Sequence, residues 1–313
     1  MHFLIVGSGA VGGYFGARLA QSGEQVTFIA RNQQLQAMKT RGLVVKSING
    51  DVTLKNPQVV EHYEQDATVD VILIAVKTFQ LDQALVQIKP VVKPQTRIIP
   101  LLNGVDATQR IIDFGIHPQQ VYGGVAKIIS QLTEPGVITH SGAEPHVTLG
   151  LLAHQQQSEQ DLQREGELLE KIAQCFVKAK VSIGITQNIE QALWRKFIFV
   201  AAWGALASAK SLSVGELRSG KHRHELISII EEYAQIAQAK DVTITSKLIM
   251  QTIQFIDALP EASQTSMQRD IANGQSSEFD SLVRYPYQLA EQQQLNTPVL
   301  DNCYQFLQTM LKT

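Results

Sequence analysis

A glycine-rich turn between an apolar strand and a helix, close to the N-terminus, constrains the fold more than any other feature of this sequence. Residues 3–6 are all apolar and predict a short buried strand, and the next helix is predicted from Val11 to Gln21. The intervening turn consists of Gly7, Ser8, Gly9, Ala10, Val11 and Gly12. The spacing predicts the first strand–helix unit of a parallel sheet, because a tight turn and close helix–strand packing both require glycine.

The same six residues predict a phosphate site. The second glycine lets a ligand approach the backbone, and the helix N-terminus favours an anion. With both flanking elements present, the turn indicates binding of a dinucleotide through its pyrophosphate. The alternative is a glycine-rich turn without a ligand.

Alternating strands and helices continue along the first half of the chain. Strands are predicted at 25–30, 69–76 and 96–102, and helices at 33–40 and 80–89. Nearly continuous apolar strands separated by helices are typical of a parallel sheet covered on both faces. Residues 123–149 show strands and turns without helices, which predicts antiparallel strands at one sheet edge.

The second part of the chain is predicted to be helical. A last short strand is expected at 181–185, and strand signals nearly end after Asn188. Helices are predicted at 189–209, 222–240, 244–258, 261–273, 278–293 and 297–311. We therefore expect an α/β Rossmann-type domain at 1–187, with a mainly parallel sheet and an antiparallel edge, and an all-α domain at 188–313.

Charge and composition exclude several classes of function. The formal net charge of −2 indicates no nucleic-acid or anionic-membrane partner. Cys175 and Cys303 lie far apart without metal-ligand spacing, so we expect free thiols and no metal site. The absence of a long apolar run or a signal-peptide pattern predicts a cytoplasmic protein.

The end of the second strand indicates which dinucleotide binds. Enzymes that use NAD place an acidic residue there to accept from the ribose 2′-OH. This chain has no acid between Phe28 and Asn32 but has Arg31, whose guanidinium suits a 2′-phosphate. The sequence therefore favours NADPH; the alternative is an exposed arginine at a strand end.

Two other dipeptides follow predicted strands, where open α/β sheets bind ligands. Lys77-Thr78 follows the third apolar strand and Asn103-Gly104 follows the fourth. Either could be a turn former only. Their common position favours a role in the cofactor site.

The helix predicted at 189–209 carries one lysine on an apolar face. The residues sharing this face are Ile189, Ala192, Leu193, Lys196, Phe199, Val200 and Trp203. A half-buried lysine beside a nicotinamide suits carbonyl reduction, because partial burial lowers an ammonium pKa and its charge stabilises an oxyanion. The alternative is a lysine that extends its ammonium to water.

Glu278 is the second charged candidate. It lies in the segment 277–280, where Ser277 and Asp280 resemble a capping box. From the residues alone, Glu278 is better explained by helix-start structure than by catalysis.

Together the motifs resemble the ketopantoate reductase (2-dehydropantoate 2-reductase) family along nearly the whole chain. The resemblance rests on GSGAVG at 7–12, VK at 76–77, LLNG at 101–104, PGVITHSG at 135–142, LWRK at 193–196, GELR at 215–218, SMQRDI at 266–271 and SEFD at 277–280. It implies NADPH-dependent reduction of ketopantoate on the route to pantothenate.

The resemblance also implies roles for particular residues. Lys196 matches the proton-donating lysine, and Glu278 matches the acid that helps to order the ternary complex. Asn103 matches an asparagine near both nicotinamide and substrate, and Ser266 matches a substrate-binding serine. We therefore expect Lys196 and Glu278 to be catalytic, Asn103 and Ser266 to bind substrate, and Lys77, Asn103 and Glu278 to contribute to the cofactor site.

One departure leaves the substrate open. The family usually has asparagines four and eight residues after the lysine, where this chain has Val200 and Gly204. Without these donors a hydroxylated acid is recognised less well. The alternatives are a reductase for another 2-oxo acid or ketone, and a nucleotide-binding sensor without catalysis. A homodimer is weakly favoured.

Overall fold

The computed structural model describes residues 1–63, 68–155 and 158–311 of the chain. The chain divides into two units. The first contains Met1–Leu102 and Ala107–Ile189, and the second contains Asn103–Asp106 and Glu190–Thr313. Each unit has its own hydrophobic core.

The first unit combines strands and helices. Its strands, β1 to β12, are His2–Val6, Gln25–Ile29, Leu43–Ser47, Val52–Leu54, Gln58–Val60, Val71–Ile74, Arg97–Pro100, Gly123–Lys127, Ser130–Glu134, Val137–His140, His146–Gly150 and Ser182–Ile185. Its helices, α1 to α5, are Ala10–Gln21, Asn32–Arg41, Leu81–Ile88, Ala107–Asp113 and Glu159–Lys178.

The largest sheet is parallel throughout and has the strand order β5-β2-β1-β6-β7. β1 lies at its centre and is buried along its whole length. The chain builds outward from one side of β1 and then continues on the other side with β6. The carboxyl end of β1 therefore lies where the strand order reverses, which is where open α/β sheets bind ligands.

The antiparallel strand pairs expected after residue 123 are present, but they lie in two smaller sheets. Their strand orders are β4-β3-β10-β9 and β12-β11-β8. A parallel bridge between Ile98 and Val121 connects the start of this region to β7. The sequence did not predict β3, β4 or β5: β4 and β5 have only three residues each, and β3 pairs with β10, far along the chain.

A buried ion pair connects β7 to α5 in the first unit. Arg97 donates from Nε to Glu165 Oε2 at 2.8 Å and from Nη2 to Oε1 at 2.9 Å. Tyr122 donates its hydroxyl to Glu165 Oε2 at 2.6 Å. Burial raises the pKa of Glu165, but the hydrogen bonds from Arg97 and Tyr122 outweigh it and hold that pKa below its ordinary value.

The second unit contains helices and no strands among its described residues. Its helices, α6 to α12, are Ile189–Lys210, Val214–Leu217, His222–Gln238, Ser246–Asp257, Ser266–Ala272, Tyr285–Gln292 and Pro298–Met310, with α6 beginning at the last residue of the first unit. The α/β and all-α classes predicted for the two parts of the chain are both confirmed. Within the described residues, no helix combines the length and apolar character needed to cross a membrane.

The helix predicted at 278–293 is interrupted near its start. Residues Asp280–Arg284 form a π-helical turn before α11 begins. Pro286 has no N–H to donate to Leu282, four residues earlier. The carbonyl oxygen of Leu282 accepts from the buried Tyr233 hydroxyl at 2.7 Å instead. This turn begins two residues after Glu278, whose carbonyl oxygen accepts from the backbone N–H of Leu282 at 2.9 Å.

Candidate active site

The turn after β1 has the backbone geometry that its glycines predict. Gly7 has a φ of 100°, which L-residues with side chains rarely adopt. A Cβ on Gly7 would lie 2.7 Å from the carbonyl oxygen of Ala75, at the end of β6. Only glycine therefore fits where the chain turns from β1 towards α1.

Gly9 and Gly12 differ in what surrounds them. A Cβ on Gly12 would lie 2.2 Å from the carbonyl oxygen of Gly7, so this glycine is required by the fold itself. A Cβ on Gly9 would meet no atom within 4 Å. The fold therefore does not require glycine at position 9, whereas a ligand that approaches the backbone does.

The N-terminus of α1 is suited to an anion. Its N-cap is Gly9, which has no side chain to cap the helix, and its first turn contains no acidic residue. The first N–H groups of a helix carry a partial positive charge and accept a phosphate well. Ala10 and Val11 are the first two residues of α1 and are half-buried. The donor set fits the pyrophosphate of a dinucleotide.

We expect Gly9→Ala to fold like the wild type and to raise the Kd for NADPH by about tenfold or more, because the added methyl group occupies the path of the phosphate. Isothermal titration measures the Kd, and a circular dichroism melt measures folding. The matched variant Gly12→Ala is expected to lose about 1–3 kcal/mol of stability through its backbone clash. Unchanged NADPH affinity in Gly9→Ala would remove the turn from the nucleotide site.

Ser8 has a structural role within this turn. Its side chain is buried, and its hydroxyl donates to the carbonyl oxygen of Ile29 at 2.7 Å. Gln34 of α2 donates to the carbonyl oxygen of Ser8 at 2.7 Å and accepts from the backbone N–H of Gly136 at 2.8 Å. These bonds hold the turn against β2 and leave only the backbone of Ser8 for a ligand.

Arg31 lies at the carboxyl end of β2 and forms the N-cap of α2. Asn32 follows with a left-handed φ of 50°, which asparagine tolerates better than most residues and which turns the chain sharply. Arg31 donates to the side-chain oxygens of Gln83 at 2.7 Å and Gln87 at 3.0 Å, both on α3. The guanidinium is therefore held in one orientation.

Lys77 follows β6 and precedes the 3₁₀ turn Thr78–Gln80. Its backbone N–H donates to the side chain of Gln80 at 3.2 Å, and its carbonyl oxygen accepts from the backbone N–H of Gln80 at 2.9 Å. The residue is half-buried. It lies at the carboxyl end of the strand next to β1, on the side of the sheet where the strand order reverses.

In the second unit, a hydrogen bond joins Asn103 and Glu278 across 175 residues of sequence. Asn103 Nδ2 donates to Glu278 Oε2 at 3.2 Å. The Glu278 side chain is only 2% exposed, and Gly104, next to Asn103, has a φ of 114°. A buried carboxylate bound by an amide fixes the orientation of that amide.

Lys196 lies on α6, which is apolar almost all round. The buried residues of this helix include Trp194, Phe197, Ile198, Ala201, Ala202 and Ala205. Lys196 is half-buried, as are Leu193, Phe199 and Val200, whereas Ile189 and Trp203 on the same predicted face are buried. The lysine therefore lies at the edge of the buried part of α6 and is not fully buried. Its neighbours on this face are apolar, and the role of Lys196 in catalysis stays a prediction.

Ser266 is the first residue of α10 and is half-buried. Gly204 of α6 packs against Thr265 and Met267, the sequence neighbours of Ser266. A Cβ on Gly204 would lie 3.4 Å from Met267 Cε and 3.7 Å from Thr265 Oγ1. The helix that carries Lys196 therefore lies beside the N-terminus of α10.

The glutamines that hold the predicted site residues were missed from the sequence. Gln34 supports Ser8, while Gln83 and Gln87 support Arg31. No local pattern distinguishes them from other glutamines, because their partners lie far along the chain. Among residues 1–63, 68–155 and 158–311, no cluster of His, Cys, Asp or Glu could hold a metal ion.

Comparison with known families gives two matches that together span most of the chain. The model described as ketopantoate reductase PanE/ApbA matches residues 3–154. The model of the C-terminal domain of the same family matches residues 188–311.

Individual proteins give the same result. The chain is 30% identical to the uncharacterized oxidoreductase YkpB of Bacillus subtilis (strain 168), over 98% of each chain. Its structure matches the crystal structure of 2-dehydropantoate 2-reductase from Geobacter metallireducens GS-15 with a TM-score of 0.88 over 99% of each chain, and the two sequences are 27% identical. A structure of D-mandelate dehydrogenase with NADH and anilino(oxo)acetate matches in fold, with a TM-score of 0.87, 23% identity, and coverage of 100% of this chain and 98% of the other.

Proposed function

The chain belongs to the ketopantoate reductase family and is an oxidoreductase, and from that premise we propose that it reduces 2-dehydropantoate (ketopantoate) to pantoate with NADPH. The observation that supports this proposal most is the hydrogen bond between Asn103 and the buried Glu278. The family resemblance assigned both residues to the reaction, and they are far apart in the chain. A purely structural helix start would not require an asparagine partner for Glu278.

The first unit holds the cofactor in this proposal. The N–H groups of residues 7–12 bind the pyrophosphate, with Arg31 at the 2′-phosphate and Lys77 at the next strand end. When bound, NADPH supplies the hydride that reduces C2 of the oxo acid. Arg31 favours NADPH over NADH, since no acidic residue lies between Phe28 and Asn32 to accept from a ribose hydroxyl.

Lys196 supplies the proton. Its ammonium stabilises the negative charge that develops on the carbonyl oxygen, and one N–H proton then passes to that oxygen to give the alcohol. Lysine returns to its charged form by taking a proton from water. Its apolar neighbours Phe199 and Val200 strengthen this interaction by lowering the local dielectric constant.

Asn103 and Ser266 hold the oxo acid. The carboxylate of Glu278 accepts one N–H of the Asn103 amide and so directs the remaining donor and the oxygen of that amide. The Ser266 hydroxyl is a further donor at the start of α10. Glu278 acts on the substrate by positioning Asn103.

Val200 and Gly204 favour a second candidate, a reductase of another 2-oxo acid or ketone. Neither residue has a side-chain donor for a hydroxylated substrate, and Gly204 lies against Thr265 and Met267. The fold alone does not select the substrate, since D-mandelate dehydrogenase has the same fold.

NADPH oxidation followed at 340 nm tests the proposal. We expect ketopantoate to give a kcat/KM of about 10⁴ M⁻¹s⁻¹ or more, and to exceed its analogue without the C4 hydroxyl, 3,3-dimethyl-2-oxobutanoate. A faster reaction with the analogue, or with another member of a 2-oxo acid panel, would favour the second candidate. NADPH binding without oxidation by any oxo acid would instead indicate a sensor.

A further inference from the structure

Two glutamines on α3 contact the arginine that is proposed to bind the 2′-phosphate. Gln83 and Gln87 are one helical turn apart, so their side chains lie on the same face of α3. Each accepts a hydrogen bond from a different terminal nitrogen of Arg31, at 2.7 and 3.0 Å. Two bonds to separate nitrogens restrict both the position and the plane of the guanidinium.

The orientation of Gln87 is itself determined by the backbone. Its Nε2 donates to the carbonyl oxygen of Glu61, just after β5, so its oxygen must face Arg31. β5 pairs with β2, the strand that Arg31 follows. The backbone after β5 therefore aligns the guanidinium through Gln87.

The chemistry of this support differs from an ordinary ion pair. Both acceptors are neutral amide oxygens, so neither cancels the charge of Arg31. A guanidinium has five N–H donors, and these two bonds use two of them. A carboxylate at position 83 or 87 would orient Arg31 equally well, but it would compete with a phosphate for the positive charge of the guanidinium.

We propose that Gln83 and Gln87 are positioning residues for cofactor choice, which hold Arg31 ready to bind the 2′-phosphate that distinguishes NADPH from NADH. The inference rests on the proposed use of NADPH. An arginine that is already ordered loses less conformational freedom when the phosphate binds, and this raises affinity for the phosphorylated cofactor alone.

The first test compares the Kd values of NADPH and NADH by isothermal titration. In Gln83→Ala/Gln87→Ala we expect the Kd of NADPH to rise about three- to tenfold and that of NADH to stay the same. Gln36→Ala, which alters an exposed glutamine of α2, is the matched control and leaves both values unchanged. Arg31→Ala is expected to abolish the preference for NADPH.

The second test separates charge from geometry. Gln83→Glu keeps an acceptor for Arg31 but adds a negative charge. We expect this variant to raise the Kd of NADPH about tenfold or more. This loss shrinks as salt is raised, because salt screens the added charge, whereas the loss in the double alanine variant depends much less on salt.

The outcomes distinguish the inference from the proposed cofactor. A wild type that prefers NADPH, with the same preference in the double alanine variant, overturns the inference and leaves the proposed cofactor intact. Tighter NADPH binding in that variant also overturns it, since the glutamines would then compete with the phosphate. A wild type that binds NADH as tightly as NADPH overturns both.

Discussion

Lys196→Ala lowers turnover about 10²–10⁴-fold and leaves the Kd of NADPH unchanged, as expected for the loss of a general acid. Two effects disappear together: the ammonium that stabilises the developing oxyanion and the proton that completes the alcohol. Folding is retained, because the Lys196 side chain is itself only half-buried. Single-turnover NADPH oxidation at saturating oxo acid measures the effect.

Lys210→Ala is the matched control for this variant. Lys210 lies on the same helix but is exposed and pairs with Glu225 at 2.7 Å. A surface ion pair contributes about 0–1 kcal/mol, so this variant keeps its activity and nearly all its stability. Unchanged turnover in Lys196→Ala would exclude the lysine from the mechanism, and equal losses in both variants would indicate a general effect of removing charge from α6.

Glu165→Gln is expected to have the largest effect on stability. The Glu165 carboxylate is fully buried and accepts two bonds from Arg97 and one from Tyr122. The amide of glutamine offers one oxygen where two are needed and directs its N–H groups at other donors. Breaking a buried ion pair from one side costs about 3–5 kcal/mol. Urea unfolding followed by circular dichroism measures the loss.

The pH dependence gives this prediction a second readout. The pKa of Glu165 in the folded state is below its ordinary value of 4.5, despite the opposing effect of burial, because Arg97 and Tyr122 donate to the ionised form. Its contribution is therefore complete above the unfolded pKa and is lost as the pH falls through the folded one. The stability difference between wild type and variant is constant at neutral pH and shrinks only in acid.

Glu170→Gln removes the charge of an exposed residue on the same helix and changes stability by about 0.5 kcal/mol or less. A loss in Glu165→Gln no greater than in this control would show that the buried pair contributes little. A stability difference that grows as the pH falls would contradict the lowered pKa.

The backbone conformation of the glycine-rich turn at residues 7–12 could be predicted from local sequence, because its causes are local. The need for glycine at position 7 follows from its own φ of 100°, and the need at position 12 follows from a clash with Gly7, five residues away. The continuous apolar strands likewise indicated a parallel sheet, since only strands buried on both faces are apolar at every residue.

Other features were not accessible from the sequence. The strands β4 and β5 have only three residues each, and β3 finds its partner in β10 only in the folded chain. In the π-helical turn at Asp280–Arg284, the carbonyl oxygen of Leu282 accepts a hydrogen bond from the hydroxyl of Tyr233, which belongs to a different helix. On the predicted face of Lys196, Ile189 and Trp203 are buried, whereas Lys196 itself is half-buried.

The sequence by itself determined the two fold classes and the glycine turn at residues 7–12, because periodicity and backbone conformation act over a few neighbouring residues, and it supplied the candidate site residues. Only the tertiary structure decided which side chains support them: Glu278 bonds Asn103, and two glutamines of α3 hold Arg31. These partners are 52 to 175 residues apart. A hydrogen bond requires its atoms to lie within about 3 Å, and at such separations only the folded chain brings them together.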